Sequence, residues 1–150
     1  MRNLSALAIL LSLSCAVLSA ADARNFTAEQ LRQAIEALPK TPPTNREVLA
    51  EDHYAIKVAV IDHRSGPGEV HETEDRVFYV LEGSSELRVG GSLDHPRRIA
   101  PAEVQGTTLK GARTIQLAPG SVVSVPRGTP YQFAAPASRI SFLVVRIEGR

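Results

Sequence analysis

Gly68-Glu69-Val70-His71-Glu72-Thr73-Glu74-Asp75-Arg76-Val77-Phe78-Tyr79-Val80-Leu81-Glu82-Gly83 holds two short runs rich in valine and aromatic residues, closed by a glycine. Successive side chains of an extended chain alternate between faces, so Arg76, Phe78 and Val80 share one face while Val77, Tyr79 and Leu81 share the other. A second stretch, Gly120-Ser121-Val122-Val123-Ser124-Val125-Pro126-Arg127-Gly128-Thr129-Pro130-Tyr131, has the same texture. Gly83 and Gly128 each follow a strand-like run where a turn needs permissive backbone angles, and Pro126 stops ladder pairing just before one of them.

Outward from these stretches, apolar or alternating runs at 54–62, 69–72, 76–81, 85–89, 114–117, 122–125, 131–134 and 140–147 are separated by Gly and Pro turns. Short strands at such spacing, without intervening helices, predict a β-sandwich or barrel, whose closure hides sheet edges. Residues 92–113 interrupt the pattern. They are polar and poor in strand signals, so they are expected to form a long loop, either a solvated excursion or a lid over a barrel mouth.

Upstream, Thr27-Ala28-Glu29-Gln30 is a capping box, followed by Leu31, Ile35 and Leu38 at helical spacing and stopped by Pro39. One amphipathic helix is expected over 28–38. Residues 40–45, with Pro42 and Pro43, read as an extended connector.

The N-terminus begins with the cationic Met1-Arg2-Asn3, continues through an apolar run at 4–18 and ends on Ser19, Ala20 and Ala21. These are the requirements of a secretory signal, with cleavage after Ala21 or Ala23 both fitting small pockets at the peptidase. The apolar run is shorter than the ~20 residues of a spanning helix, so no retained membrane span is expected. The expected organisation is a signal peptide at 1–21, a helix and linker at 22–50 and one β domain at 51–150, exported to a periplasm or secreted. Cys15 is the single cysteine and lies inside the signal, preceded by Ser12-Leu13-Ser14, which departs from a lipidation motif. A mature chain without a thiol has no disulfide, thiolate nucleophile or cysteine metal ligand. Removing 1–21 leaves 16 basic against 16 acidic residues, a balance that offers no attraction to nucleic acid or anionic lipid.

The 68–83 stretch resembles the first motif of the cupin superfamily, and the 120–131 stretch resembles the second, with Gly120, Pro126 and Gly128 in register without a gap. With the surrounding strands the resemblance covers most of 54–147. It implies a double-stranded β-helix, a jelly-roll barrel, and a divalent metal held by two histidines and a glutamate of the first motif and a histidine of the second. This chain departs from that ligand set. Arg76 stands at the glutamate position and Tyr131 at the second-motif histidine. The paired histidine positions fall on Glu69 and His71, or on Val70 and Glu72. A guanidinium is permanently cationic and repels a divalent ion.

If Arg76 points inward like its family counterpart, Phe78 lies beside it, and Tyr131 shares a face with Phe133. His71, Arg76, Phe78, Tyr131 and Phe133 are therefore the expected ligand-binding residues, suited to a small anionic or hydroxylated molecule without the usual metal. Two alternatives stay open. One is a metal-dependent dioxygenase, isomerase or decarboxylase of a sugar or small acid, using Glu69, His71 and Glu74 to hold Fe, Mn, Zn or Ni. The other is a structural or interaction module with a filled barrel. For each site residue taken singly there is also a plain account: Arg76 pairing with Glu74, Asp75 or Glu86, His71 on a strand surface, Tyr131 in the core. His53, His63, His95 and the Arg97-Arg98 pair read as solvated turn residues. The apolar outward face of Val77, Tyr79 and Leu81 suits sheet packing or a homodimer.

Overall fold

The computed structural model describes residues 23–41 and 44–149. The expected export signal, and Pro42 and Pro43 of the expected connector, lie outside the described residues. Helix α1 (Ala28–Glu36) starts as its sequence dictates: the Thr27 hydroxyl accepts the Gln30 N–H at 3.2 Å, and the Gln30 side chain accepts the Thr27 N–H at 2.9 Å. The helix stops two residues short of the expected Leu38, with Ala37 as its C-cap.

The strands form two facing antiparallel sheets. The first has the order β1 (Asn45–Ala50), β2 (Tyr54–Ile61), β13 (Ile140–Glu148), β4 (Glu74–Glu82) and β11 (Val122–Val125). The second runs β10 (Arg113–Leu117), β5 (Ser85–Val89), β12 (Tyr131–Phe133), β3 (Gly68–His71), β8 (Glu103–Gly106) and β7 (Arg97–Ala100). A two-stranded ribbon joins β6 (Ser92–Asp94) to β9 (Thr108–Lys110). Consecutive strands repeatedly fall in opposite sheets, as a rolled double-stranded β-helix requires.

Two expectations are corrected. Residues 92–113 are not a loop: they supply β6, β7, β8 and β9, and β8 pairs with β3 from Gly68↔Gly106 to His71↔Glu103. Their polarity reflects short strands at the wet rim of the fold, as on the edge strand Arg97–Ala100, where every residue is exposed. Likewise, residues 45–50, read as part of the linker, form β1 and pair with β2 through Asn45↔Ala59 to Ala50↔Ala55.

The core lies between the sheets, where Phe78, Val80, Phe142 and Val144 of the first meet Leu87, Val89, Tyr131 and Phe133 of the second. Phe78 packs edge-on against Tyr131, Phe133 and Phe142 at centroid distances of 5.4, 5.1 and 5.9 Å, and Phe133 stacks on Phe142 at 4.9 Å. Each such pair adds about 0.5–1.5 kcal/mol beyond burial. On the outer face of the first sheet, Ile35 of α1 and Leu38 just beyond it pack with Val58 and Val60, with Leu81 and Leu143 against them. The rest of that face is open: Tyr79 and Val122, directly paired across β4 and β11, are 41% and 64% exposed.

Gly83 closes β4 at φ 79°, and a Cβ there would lie 2.3 Å from the Arg139 carbonyl oxygen, so both backbone angle and space demand glycine. Gly128, at φ 72°, has open space around it, and only the backbone angle selects it.

Candidate functional site

One end of the barrel is polar because inward positions of three strands carry polar side chains there. On β4 the inward residues run Glu74, Arg76, Phe78 and Val80, and on β12 they run Tyr131 and Phe133. On β3, Glu69 faces Tyr131 as a cross-strand partner, and His71 follows on the same side. Of the two spacings left open for the paired histidine positions, the structure therefore selects Glu69 and His71. Val70 and Glu72 point away, and Glu72 instead receives Arg98 at 2.8 Å.

Four of these side chains form a chain of hydrogen bonds across the two sheets. Arg76 Nη2 lies 3.1 Å from His71 Nδ1, His71 Nε2 lies 3.1 Å from Tyr131 Oη, and Tyr131 Oη donates to Glu69 Oε2 at 2.7 Å. The guanidinium can only donate, so Nδ1 must accept. The imidazole proton then sits on Nε2 and is donated to the tyrosine oxygen, whose own proton goes to the carboxylate. The tautomer of His71 is thus assigned by its neighbours. Gln105 Nε2 adds a bond to Glu69 Oε1 at 3.2 Å.

Burial by itself pushes the Glu69 carboxyl up, but hydrogen bonds from His71 and Tyr131 outweigh it and hold the group below the usual carboxylate range. Burial, reinforced by the Glu69 charge, pushes the Tyr131 phenol well above its ordinary value, so it stays a neutral donor.

A second group of charges flanks the first. Arg76 and Arg146 stand directly opposite on β4 and β13, a pairing that would repel, and Glu74 resolves it by accepting from Arg76 at 2.9 Å and Arg146 at 3.3 Å. Arg146 also reaches Glu47 at 3.3 Å. Arg76 Nε is buried and has no hydrogen-bond partner among the described residues.

A cavity of about 270 Å³ opens at this end, and Arg76, Phe78, Tyr131 and Phe133 all line it. His71 does not line it; the imidazole sits behind Arg76 and Tyr131, 7% exposed. Glu69, Lys57 and Phe142 also line it; Lys57 and Phe142 were not among the sequence candidates, and Glu69 was named only as a metal ligand. Lys57 carried a usable signal: it is the one charged residue in β2, Tyr54-Ala55-Ile56-Lys57-Val58-Ala59-Val60-Ile61, and its register with Ala59 and Ile61 points inward. His63 and His95 sit in exposed turns at φ 52° and 50°, and Asp75 and Glu86 pair with Arg127 and Gln116 rather than with Arg76.

The residues at the motif positions do not fit a divalent ion. His71 Nε2 and Glu69 Oε2 approach to 3.5 Å, but both are engaged with Tyr131, a guanidinium occupies Nδ1, and Glu74 is turned to two arginines. Among the described residues no group of three or more His, Cys, Asp or Glu is arranged to hold a metal. A cation there would meet Arg76 in place of a carboxylate.

No family model matches the sequence, and no curated protein does. Solved structures do resemble it. KdgF from Halomonas sp. superposes with a TM-score of 0.54 at 16% identity over 75% of this chain and 87% of its own. Hydroquinone 1,2-dioxygenase from Sphingomonas sp. TTNP3, solved with 4-hydroxybenzoate bound, gives 0.54 at 21% identity over 73% and 68%. The DMSP lyase DddQ from Ruegeria pomeroyi DSS-3 gives 0.50 at 18% identity over 69% of this chain, which spans only 45% of the lyase. At these identities the likeness defines the fold: the chain is a cupin-type jelly roll.

Proposed function

We propose that this protein is exported and binds a small anionic or hydroxylated molecule in its barrel without the usual cupin metal. The observation that carries the reading is the cavity of about 270 Å³ whose wall joins Arg76 and Tyr131 to the apolar faces of Phe78 and Phe133. A few convergent polar groups in a mostly apolar concavity are the ordinary composition of a small-molecule site. The Arg76 guanidinium brings a permanent positive charge to that wall. A barrel serving only as a scaffold has no need of such a cavity, which favours binding over the structural module.

Calorimetric titration of small organic acids into the purified protein and into Arg76→Ala tests this. Loss of a charge-assisted contact of about 1.5–3 kcal/mol weakens binding about ten- to a hundredfold. Equal affinity in both proteins removes the idea. Stoichiometric iron, manganese, zinc or nickel in the purified protein replaces it with the metal-dependent enzyme. Export rests on the pattern of residues 1–21, and a mature N-terminus at Asp22 or Arg24 in the exported fraction is its test. Among the described residues no helix is long and apolar enough to cross a membrane. The open face bearing exposed Tyr79, Val122 and Ile147, bordered by the Asp75–Arg127 pair, suits a two-fold contact with a second copy, and we assign it to a homodimer. Size exclusion of Val122→Arg checks it, a monomer being the expected shift.

A further inference from the structure

The cavity wall holds a second cation. Lys57 rises from β2 into the same space as Arg76, two strand positions away through β13. Among the described residues it has no ion-pair partner within 4.0 Å, whereas the neighbouring Arg76 and Arg146 are tied to Glu74 and Glu47. Burial, then the charge of Arg146, depresses the Lys57 ammonium below its ordinary 10.5. An anion arriving beside it would reverse that cost.

Lys57 stands level with Phe78 across Val144, two residues along the strand from Arg76, so the two backbones are about 12 Å apart. Two long side chains and charge-assisted hydrogen bonds of about 2.8 Å on either side of one carboxylate can span that gap. Around the two cations the same sheet is apolar, with Ala59, Ile61, Phe78, Phe142 and Val144 in the wall, and Phe133 faces them from the second sheet beside Tyr131 and Glu69. Glu69, also in the wall and ionised, repels a second negative group. The volume of about 270 Å³ sits at the small end of ligand cavities.

Resting on the binding function above, we infer that Lys57 and Arg76 clamp the single carboxylate of a small monoacid whose aromatic or branched apolar body lies against Phe78, Phe133 and Phe142. Lys57 then sets the choice of a compact amphipathic acid over a sugar acid or a diacid.

Benzoate, phenylacetate, neutral benzamide, succinate and glucuronate are titrated into the purified protein, into Lys57→Met and, as a polar control for folding, into Lys57→Gln, with thermal melts of each. The expected result is binding of benzoate or phenylacetate at least tenfold tighter than benzamide, weakened about tenfold in both Lys57 variants. Unchanged affinity in a folded Lys57 variant overturns the clamp. Preference for succinate or glucuronate overturns the amphipathic acid but leaves anion binding through Arg76 standing. Binding of none of the acids overturns the clamp and, with it, the anionic form of the binding function.

Discussion

The inward faces of β4 and β12 each change character within two residues, from Arg76 to Phe78 and from Tyr131 to Phe133, and the two halves of the barrel are held by different physics. In the dry half, shape decides: Phe78 is 2% exposed and touches three other rings. In the polar half, satisfaction decides: Glu69, His71, Arg76 and Tyr131 each occupy a donor or acceptor of the next. A hydrophobic core tolerates any filling of the right volume, whereas a chain of directed hydrogen bonds tolerates almost no change of type. The dry half therefore carries the barrel's packing, and the polar half is where side-chain types are fixed by one another.

Substitutions on either side of that line separate the two contributions. Phe78→Ala opens a hole in the aromatic cluster and should cost about 3–5 kcal/mol, read as a lowered urea midpoint. A loss under about 1 kcal/mol would mean that the cluster is not the barrel's main support. Tyr131→Phe keeps the ring but removes the link between His71 and Glu69, and about 1–3 kcal/mol should go through the stranded carboxylate and imidazole. If it unfolds the protein as readily as Phe78→Ala, the polar half is structural after all.

Acidity gives a finer cut. Glu69 is held below its ordinary 4.5, so its contribution is complete above that pH and drains away as the pH falls through the lower folded value. Wild type should lose midpoint below about pH 4.5 more steeply than Glu69→Gln, measured in urea from about pH 7 to about pH 3. Parallel acid limbs would deny Glu69 that role. The smallest effect is expected outside both halves: Arg98 and Glu72 are 52% and 42% exposed, and Arg98→Ala should leave the midpoint unmoved within error.

Much of this was legible in the sequence, and the reason is locality. Runs of alternating apolar residues ending at Gly83 and Gly128 announce strands and turns through their own backbone preferences, and Thr27 with Gln30 announces a helix start. The inward placement of Arg76 and Tyr131 followed from motif register plus alternation. The rim strands were hidden because β8 draws its order from pairing with β3 and β7, and β7 from pairing with β8, not from apolar patterning. His71 was placed on the cavity wall, but its position behind Arg76 depends on Tyr131, which lies 60 residues further on. Lys57 was passed over because a single lysine in an apolar strand gains meaning only when β13 and β4 bring Arg76 toward it.

The turn after β11 bears on the buried imidazole. Gly128 gives its N–H to the His71 carbonyl at 2.8 Å, and the preceding Arg127 grips Asp75 through backbone and side chain. An exposed bend thus serves as the latch that sets the pitch of a ring it never touches. A careless surface replacement at residue 128 would therefore reach the buried hydrogen-bond chain through the backbone, without altering any of its side chains.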